Sequence, residues 1–363
     1  MTVPVLVAGA GIIGCAIARE LSARGVACTI VDDRAVGGGA TQASAGMLAP
    51  YVEAHDDGPL LELGVRSLAL YDDWIDAVRR ESHIDVEYRR IGTLEVALDP
   101  QHAGELRAQA REGPDAERRW MDPAAVRRRQ PALASVDGAL FTPSHAYVAA
   151  HQLAQALARA AETRGARVLT ARIQRIARTG SGFSVITTAG EVTASKVVLA
   201  TGAWTNAIEI DGAAAPDVRP VRGQLLHLGW HEAPLDTIVW GPECYVVPRL
   251  DGSLLVGATV EDVGFDERAT AAGVRDLLDA FCEILPGGWG AAFLGARVGL
   301  RPAAADDLPV MGWDPNVDGL AHATGHYRNG VLLAPITAVM IANLITADRR
   351  DPALEALAPG RFR

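Results

Sequence analysis

Several features that mark common protein classes are scarce or missing in this 363-residue chain, and each shortage excludes something. The four cysteines, Cys15, Cys28, Cys244 and Cys282, form no C-x-x-C pair, so neither a dithiol redox motif nor a thiolate zinc site is on offer. Two of them fall inside an apolar pattern, which reads as reduced, buried thiols in a cytoplasmic protein. Basic residues number 34 against 44 acidic ones, for a formal net charge of −10. Such a chain has no general attraction for nucleic acid or anionic lipid, and neither is expected as a partner. The run Arg127 to Arg129 then reads as a solvated helix face. None of the nine histidines has metal-ligand spacing, so no metal is expected. The N-terminus lacks the basic region and cleavage site of a signal peptide. The most hydrophobic run, Val331 to Ala347, is interrupted by Pro335, Thr337, Asn343 and Thr346 and falls short of a bilayer span, which points to a buried helix.

What is present begins at Val5. An apolar strand (Val5 to Ala8) runs into Gly9-x-Gly11-x-x-Gly14, an amphipathic helix, a second apolar strand (Val26 to Val31) and the acid pair Asp32-Asp33. This order is a βαβ unit with a dinucleotide site built in: Gly9 permits the tight turn, Gly11 removes a Cβ that would obstruct a pyrophosphate, and Gly14 lets the helix approach the strand. The phosphates would lie at the positive helix terminus, against the backbone of Ile12 and Ile13. Ile13, Ile17 and Leu21 mark the buried face, Arg19, Glu20 and Arg24 the wet one, and Gly25 ends the helix. Asp32, 18 residues after Gly14, suits the two hydroxyls of an adenosine ribose and repels a 2′-phosphate, which disfavours NADP. FAD and NAD remain open at this point. The uncharged stretch Gly37 to Pro50 then favours a flavin, because a small-residue strip can lie flat along an isoalloxazine edge.

Beyond it, Leu61, Leu68, Tyr71, Ile75 and Val78 share a helical face over about 59 to 82, with Trp74 as core. Ile91 to Leu98 alternates like a strand, and Glu105 to Arg111 and Ala124 to Arg129 read as short helices. His151 to Arg164 is helical, and strands are expected at Val168 to Ile176 and Phe183 to Thr188. Lys196 to Trp204 is a buried parallel-type strand stopping at Thr201-Gly202, on the functional side of such a sheet. Gln224 to Leu228, Thr237 to Trp240, Cys244 to Leu250 and Ser253 to Val260 read as an antiparallel sheet, followed by a helix at Ala271 to Leu285. Pro335 is placed in the first turn of the last helix, whose N-terminus would face the preceding loop. The length itself suggests two domains.

The segments G-A-G-I-I-G, A-S-A-G-M-L-A-P, E-C-Y-V-V-P-R, V-G-A-T, G-L-R-P and G-H-Y-R-N-G-V-L-L-A-P-I-T-A together resemble the glycine oxidases of thiamine biosynthesis, within the D-amino acid oxidase family of flavoproteins. The resemblance spans essentially the whole chain. It implies an α/β fold, with a Rossmann-like FAD-binding domain assembled from 1–50, 146–215 and 296–363, and a discontinuous antiparallel-sheet (α+β) substrate domain from 51–145 and 216–295. It implies oxidation of glycine or another small amino acid or amine to an imine, with O2 reduced to hydrogen peroxide. By motif position it makes Tyr245, Arg301, Arg328 and Met47 substrate ligands. Ala40, Thr41, Ala45, Gly46, Met47 and the backbone from His326 through Tyr327, Arg328, Asn329, Gly330 and Val331 to Leu332 would hold the flavin, with Ile173 at the adenine end. Leu300-Arg301-Pro302 offers no thiol, so the FAD is expected to be noncovalent. A homo-oligomer is expected. Glu243 stands where the family pattern has a histidine, and Val298 replaces an aromatic, so substrate preference is less fixed than chemistry. Oxidases or dehydrogenases of sarcosine, D-amino acids or another secondary amine, and a noncatalytic FAD-binding protein, are the other readings.

Two arginines in apolar, glycine-rich surroundings suit a carboxylate, which a guanidinium binds through two parallel hydrogen bonds. Tyr245, read without the resemblance, is core. No general acid or base is assigned, since alignment and electrostatics suffice once the amine is neutral.

Overall fold

A computed structural model describes residues 2–53, 58–110, 117–213 and 216–362. Its first strand, Thr2–Ala8, lies between Cys28–Asp32 and Gly190–Leu199, parallel to both. Val5 and Val7 face a cluster of helices, and Leu6 and Ala8 face the opposite side, so this strand is buried on both faces, as a central parallel strand must be. Among the described residues the sheet has nine strands. Arg167–Thr170 closes one edge, the antiparallel strands Ile173–Thr179 and Gly182–Thr187 extend the other, and Leu320–Thr324 pairs with the end of Gly190–Leu199. The expected strand from Val168 to Ile176 is therefore two, divided at Ala171, because the chain leaves one edge of the sheet and rejoins at the other.

The helices Ile12–Ala23, Pro59–Ser82, Ala150–Glu162 and Gly330–Ala347 bury their apolar faces against this sheet and one another. Gly330–Ala347 is long and apolar enough to cross a membrane by length and composition alone, but 72% of it is buried inside the protein. Each large aliphatic side chain interred there contributes about 1.5–3 kcal/mol. Pro335 sits inside this helix and not in its first turn. Proline deprives the carbonyl four residues earlier of its donor. That carbonyl, of Val331, instead accepts from the Tyr71 hydroxyl, and the next, of Leu332, accepts from Ser67 Oγ at 2.6 Å. The long helix Pro59–Ser82 thus supplies the hydrogen bond that the proline removes.

A second sheet of eight strands runs in the order Ala292–Ala304, Val218–Gly229, Ser253–Gly257, Tyr245–Pro248, Ile238–Trp240, Thr93–Ala97, Gly138–Thr142 and Arg119–Met121. It is antiparallel except where Ile238–Trp240 pairs parallel to Thr93–Ala97. Ala271–Ile284, capped by the Thr270 hydroxyl accepting from the Gly273 amide at 3.2 Å, packs on it. A small third sheet joins Met47–Leu48, Ala146–Val148 and Tyr88–Arg90. Residue 296 falls inside Ala292–Ala304, which pairs with Val218–Gly229 along its whole length.

Three local expectations change. Arg19 is buried, not wet, because Glu81 at the end of Pro59–Ser82 takes its guanidinium, with Nε at 2.7 Å. Thr93–Ala97 does not alternate: all five residues are buried, and Glu95 is accommodated by Arg118 at 2.9 Å. Of the arginine run, Arg127 and Arg128 are exposed, whereas Arg129 lies 4.2 Å over the Phe141 ring. The short helices are Pro100–Ala108 and Pro123–Arg129; Arg111, expected to end the first, lies outside the described residues.

Candidate active site

A cavity of about 1010 Å³ runs from the C-terminal end of the parallel strands to the face of the second sheet. At one end its wall is main chain. Gly9 has φ +106°, and a Cβ there would stand 2.3 Å from the Ala200 carbonyl oxygen. A Cβ on Gly14 would lie 1.9 Å from the Gly9 carbonyl oxygen, so helix and turn touch as backbone. Gly11 precedes the helix and lines the cavity; the nearest atom to its imagined Cβ is Thr41 Oγ1 at 3.6 Å. That same hydroxyl accepts from the Ile12 amide at 3.1 Å and caps the helix that glycine cannot cap. Asp32 accepts from the Ala10 amide at 2.6 Å and the Arg34 amide at 2.8 Å, tying the glycine turn to the second strand. Asp33 pairs with Arg172 at 2.8 Å.

Of the residues singled out in the sequence, Gly9, Gly11, Ile12, Ile13, Asp32, Asp33, Ala40, Thr41, Ala45, Gly46, Met47, Ile173, Thr201, Gly202, Tyr245, Arg301, His326, Tyr327, Arg328, Gly330 and Val331 line this one cavity. Gly14, Asn329 and Leu332 do not: Gly14 is a packing contact, Asn329 is buried at the start of the last helix, and Leu332 belongs to the helix core. Gly46 has φ +75°, and a Cβ would sit 1.7 Å from the Val148 carbonyl oxygen. His326 is fully enclosed, with Nε2 3.0 Å from Thr337 Oγ1; burial pushes its imidazole down to about 3, so it is neutral.

The other end is made of side chains from distant strands. Arg301 Nη1 donates to the carbonyls of Thr259 at 2.9 Å and Arg222 at 3.3 Å. Its guanidinium lies across Gly223, where a Cβ would come within 2.4 Å. Among the described residues no carboxylate pairs with it. Arg328 differs, because its Nε is 3.1 Å from Glu53 Oε2. Tyr245 stacks on Trp240 with centroids 5.5 Å apart, and its phenol covers Gly257. Burial pushes that phenol up to about 12, against the opposing pull of Arg301, so it remains a donor at neutral pH. Arg34, Trp204 and Glu267 close the flank near Asp32: Arg34 meets Glu267 through two contacts of 2.8 Å and lies 4.2 Å over Trp204.

Sequence reading missed Glu53, Trp240, Gly223 and Glu267. Gly257 and Thr259 fall within the V-G-A-T segment, but Glu53 follows Tyr51-Val52 with no motif to mark it, and Gly223 has meaning only once Arg301 is known to cross it.

The enclosed glycine turn, the capped helix terminus, the ribose-type acid and the small-residue strip fit a flavin dinucleotide, and the arginine end leaves room for a small acid beside it. A profile of the FAD dependent oxidoreductase family, DAO, matches residues 4–344. The chain is 37% identical to the bifunctional protein ThiO/ThiG of Nostoc sp. over 98% of its own length and 54% of that protein, so it spans about half of that relative. It is 33% identical to the glycine oxidase of Geobacillus kaustophilus, covering 98% and 95% of the two chains. The crystal structure of glycine oxidase from the same organism superposes with a TM-score of 0.90 over 99% of both chains, at 31% identity. Iminodiacetate oxidase from Chelativorans sp. BNC1 gives 0.87 over 98% of both, at 27% identity.

Proposed function

The chain belongs to the DAO family of FAD-dependent oxidoreductases, and on that premise we propose that it oxidises glycine and related small amino acids or amines, in the service of thiamine biosynthesis. Glycine, O2 and water would give glyoxylate, ammonia and hydrogen peroxide. The observation that carries this reading is Arg301, a guanidinium in the cavity wall with no acidic partner among the described residues. A substrate carboxylate supplies the missing charge through a bidentate contact. Tyr245 offers a phenolic donor to the same carboxylate, and the two fix the Cα relative to the strip from Ala45 to Met47. FAD, when bound, supplies the two-electron acceptor. The protein's part is alignment and exclusion of water. No residue is needed as a metal ligand.

The FAD is held noncovalently, since no cysteine lines the flavin strip and Cys244, the one cysteine on the cavity wall, is buried beside Tyr245. The division into an FAD domain from 1–50, 146–215 and 296–363 and a substrate domain from the remainder is supported by the two large sheets, which draw on those segments alternately except for Ala292–Ala304, a strand of the second sheet that crosses the boundary at residue 296. We take the protein to be a cytoplasmic homo-oligomer. In support, Phe293 and Leu294 of the edge strand Ala292–Ala304, and Trp289 in the turn before it, are exposed where a second copy would cover them. Oxidation of sarcosine, a D-amino acid or an iminodiacetate-like secondary amine is the runner-up, favoured by the second structural relative. Peroxide release across glycine, sarcosine, D-alanine and iminodiacetate decides between them. Glycine should lead, and peroxide from none of the four would refute the oxidase reading.

A further inference from the structure

Two arginines face the substrate end of the cavity, but they are not electrically equivalent. Glu53 closes the short helix Pro50–Glu53, its side chain is only 10% exposed, and it stands 3.1 Å from Arg328 Nε. The helix is anchored nearby, as Tyr51 stacks on the enclosed ring of His145 with centroids 5.7 Å apart. Arg301, in contrast, hydrogen-bonds among the described residues to carbonyl oxygens alone, and carbonyls orient a guanidinium without cancelling its charge. The remaining acidic groups on the cavity wall are spent elsewhere or lie at the rim: Asp32 accepts from backbone amides, Asp33 pairs with Arg172, Asp276 with Arg275, and Glu243 is exposed. Among the described residues the substrate end therefore carries one uncompensated positive charge, not two.

We propose that Glu53 is a specificity-determining residue: by neutralising Arg328 it leaves the site with charge for one carboxylate, so that monocarboxylate amines are accepted and dicarboxylate amines are refused. This rests on the amino acid oxidase reading above. A second carboxylate reaching Arg328 would have to displace Glu53 or lie beside it, and either outcome opposes two like charges in a water-poor wall. Were Glu53 uncharged, Arg328 would become a second anion site, and iminodiacetate-type substrates would gain what glycine cannot use. Glu53 acts on the substrate through Arg328.

The test is an anaerobic titration of the FAD-loaded enzyme with acetate and with malonate, each followed by the change in flavin absorption. It reads binding without turnover. In the natural protein acetate should bind more tightly than malonate. In Glu53→Gln the ratio of the malonate to the acetate dissociation constant should fall roughly tenfold or more, because a buried charge contact is gained by malonate alone. Glu53→Asp, which keeps the charge, should hold the natural ratio. Arg328→Gln, which strands Glu53, should raise it, and the double variant Glu53→Gln/Arg328→Gln should return toward the natural value. Turnover should follow, with kcat/KM for iminodiacetate rising relative to glycine in Glu53→Gln. An unchanged ratio in Glu53→Gln, or an equal shift in Glu53→Gln and Glu53→Asp, would overturn the proposal, as would malonate binding better than acetate in the natural protein. If Glu53→Gln fails to fold, the Arg328→Gln ratio decides. The predicted shifts without peroxide from glycine would instead overturn the oxidase reading and leave the charge selection standing.

Discussion

Near Asp32 the cavity wall is main chain held at contact distance, and near Arg301 it is charged side chains held by carbonyls and by one another. The first end tolerates nothing larger than hydrogen at Gly9, Gly14 and Gly46, where an added Cβ would meet backbone oxygen at 2.3, 1.9 and 1.7 Å. The second end is set by charge as well as by fit: a Cβ at Gly223 would meet the Arg301 guanidinium, a side-chain end, at 2.4 Å, Arg301 has only neutral neighbours among the described residues, and Arg328 is balanced by Glu53. A site that must grip a large invariant cofactor is built from sterics, and one that must choose among small acids is built from charge balance.

That contrast breaks most sharply at Gly9. Gly9→Ala places a side chain at φ +106°, which alone costs about 1–3 kcal/mol, and adds the clash with Ala200. Flavin should be absent from the purified protein and its Tm lowered, as read by visible absorption and calorimetry. Full flavin content would show that the turn is not steric in nature. At the other end, Arg301→Ala should lower kcat/KM on glycine by about 2–5 kcal/mol of transition-state binding, roughly 30-fold to several thousand-fold, with flavin retained. Arg301→Lys should recover part, because an ammonium lacks the planar fork. Asp32→Ala removes an acceptor of two backbone amides and, on the proposed reading, of a ribose hydroxyl; FAD affinity measured by fluorescence should weaken by about 1.5–3 kcal/mol.

A pH measurement sharpens the comparison from outside the cavity. Burial lowers the His145 imidazole from 6.5 to about 3, and both ring nitrogens lack a partner among the described residues. The unfolded chain therefore binds this proton more readily. The stability is present above the unfolded value of 6.5 and is lost as pH falls from there toward 3, at up to about 1.4 kcal/mol per pH unit. Denaturant unfolding at about pH 6.5 and pH 5 should show this slope, and His145→Phe should flatten it. An equal slope in the variant would assign the effect to other groups, His326 first among them, since it is lowered in the same direction. The smallest effect belongs to Glu267→Gln. Its pair with Arg34 is a third exposed on both sides, so FAD affinity should move by less than about 1 kcal/mol.

The glycine turn at the Asp32 end is legible in the sequence because its logic is local. Gly9, Gly11, Gly14 and Asp32 lie within one βαβ unit, and the chemistry of each follows from spacing. The strand and helix positions came through for the same reason, as with Pro59–Ser82, which matches the expected 59 to 82. The substrate end resisted because its contacts join residues remote in the chain. Glu53 meets Arg328 and Gly223 yields to Arg301, and nothing about either residue's neighbours signals this. Arg301 and Arg328 themselves were found through family resemblance and not through pattern. Pro335 was misplaced for a related reason, since the Tyr71 hydroxyl that makes an interior proline tolerable comes from a helix some 260 residues away. Spacing alone puts Arg19 on the wet face, because its partner, Glu81, belongs to another helix.

Whether Arg301 holds the substrate carboxylate is decided by comparing two substrates in one variant. Peroxide release should be measured for Arg301→Ala and the natural protein with glycine and with a small amine that has no carboxylate. Efficiency on glycine should collapse while the slow oxidation of the amine barely changes, because that amine never used the contact. An equal loss on both would contradict it, and would make Arg301 a support of the flavin or the fold.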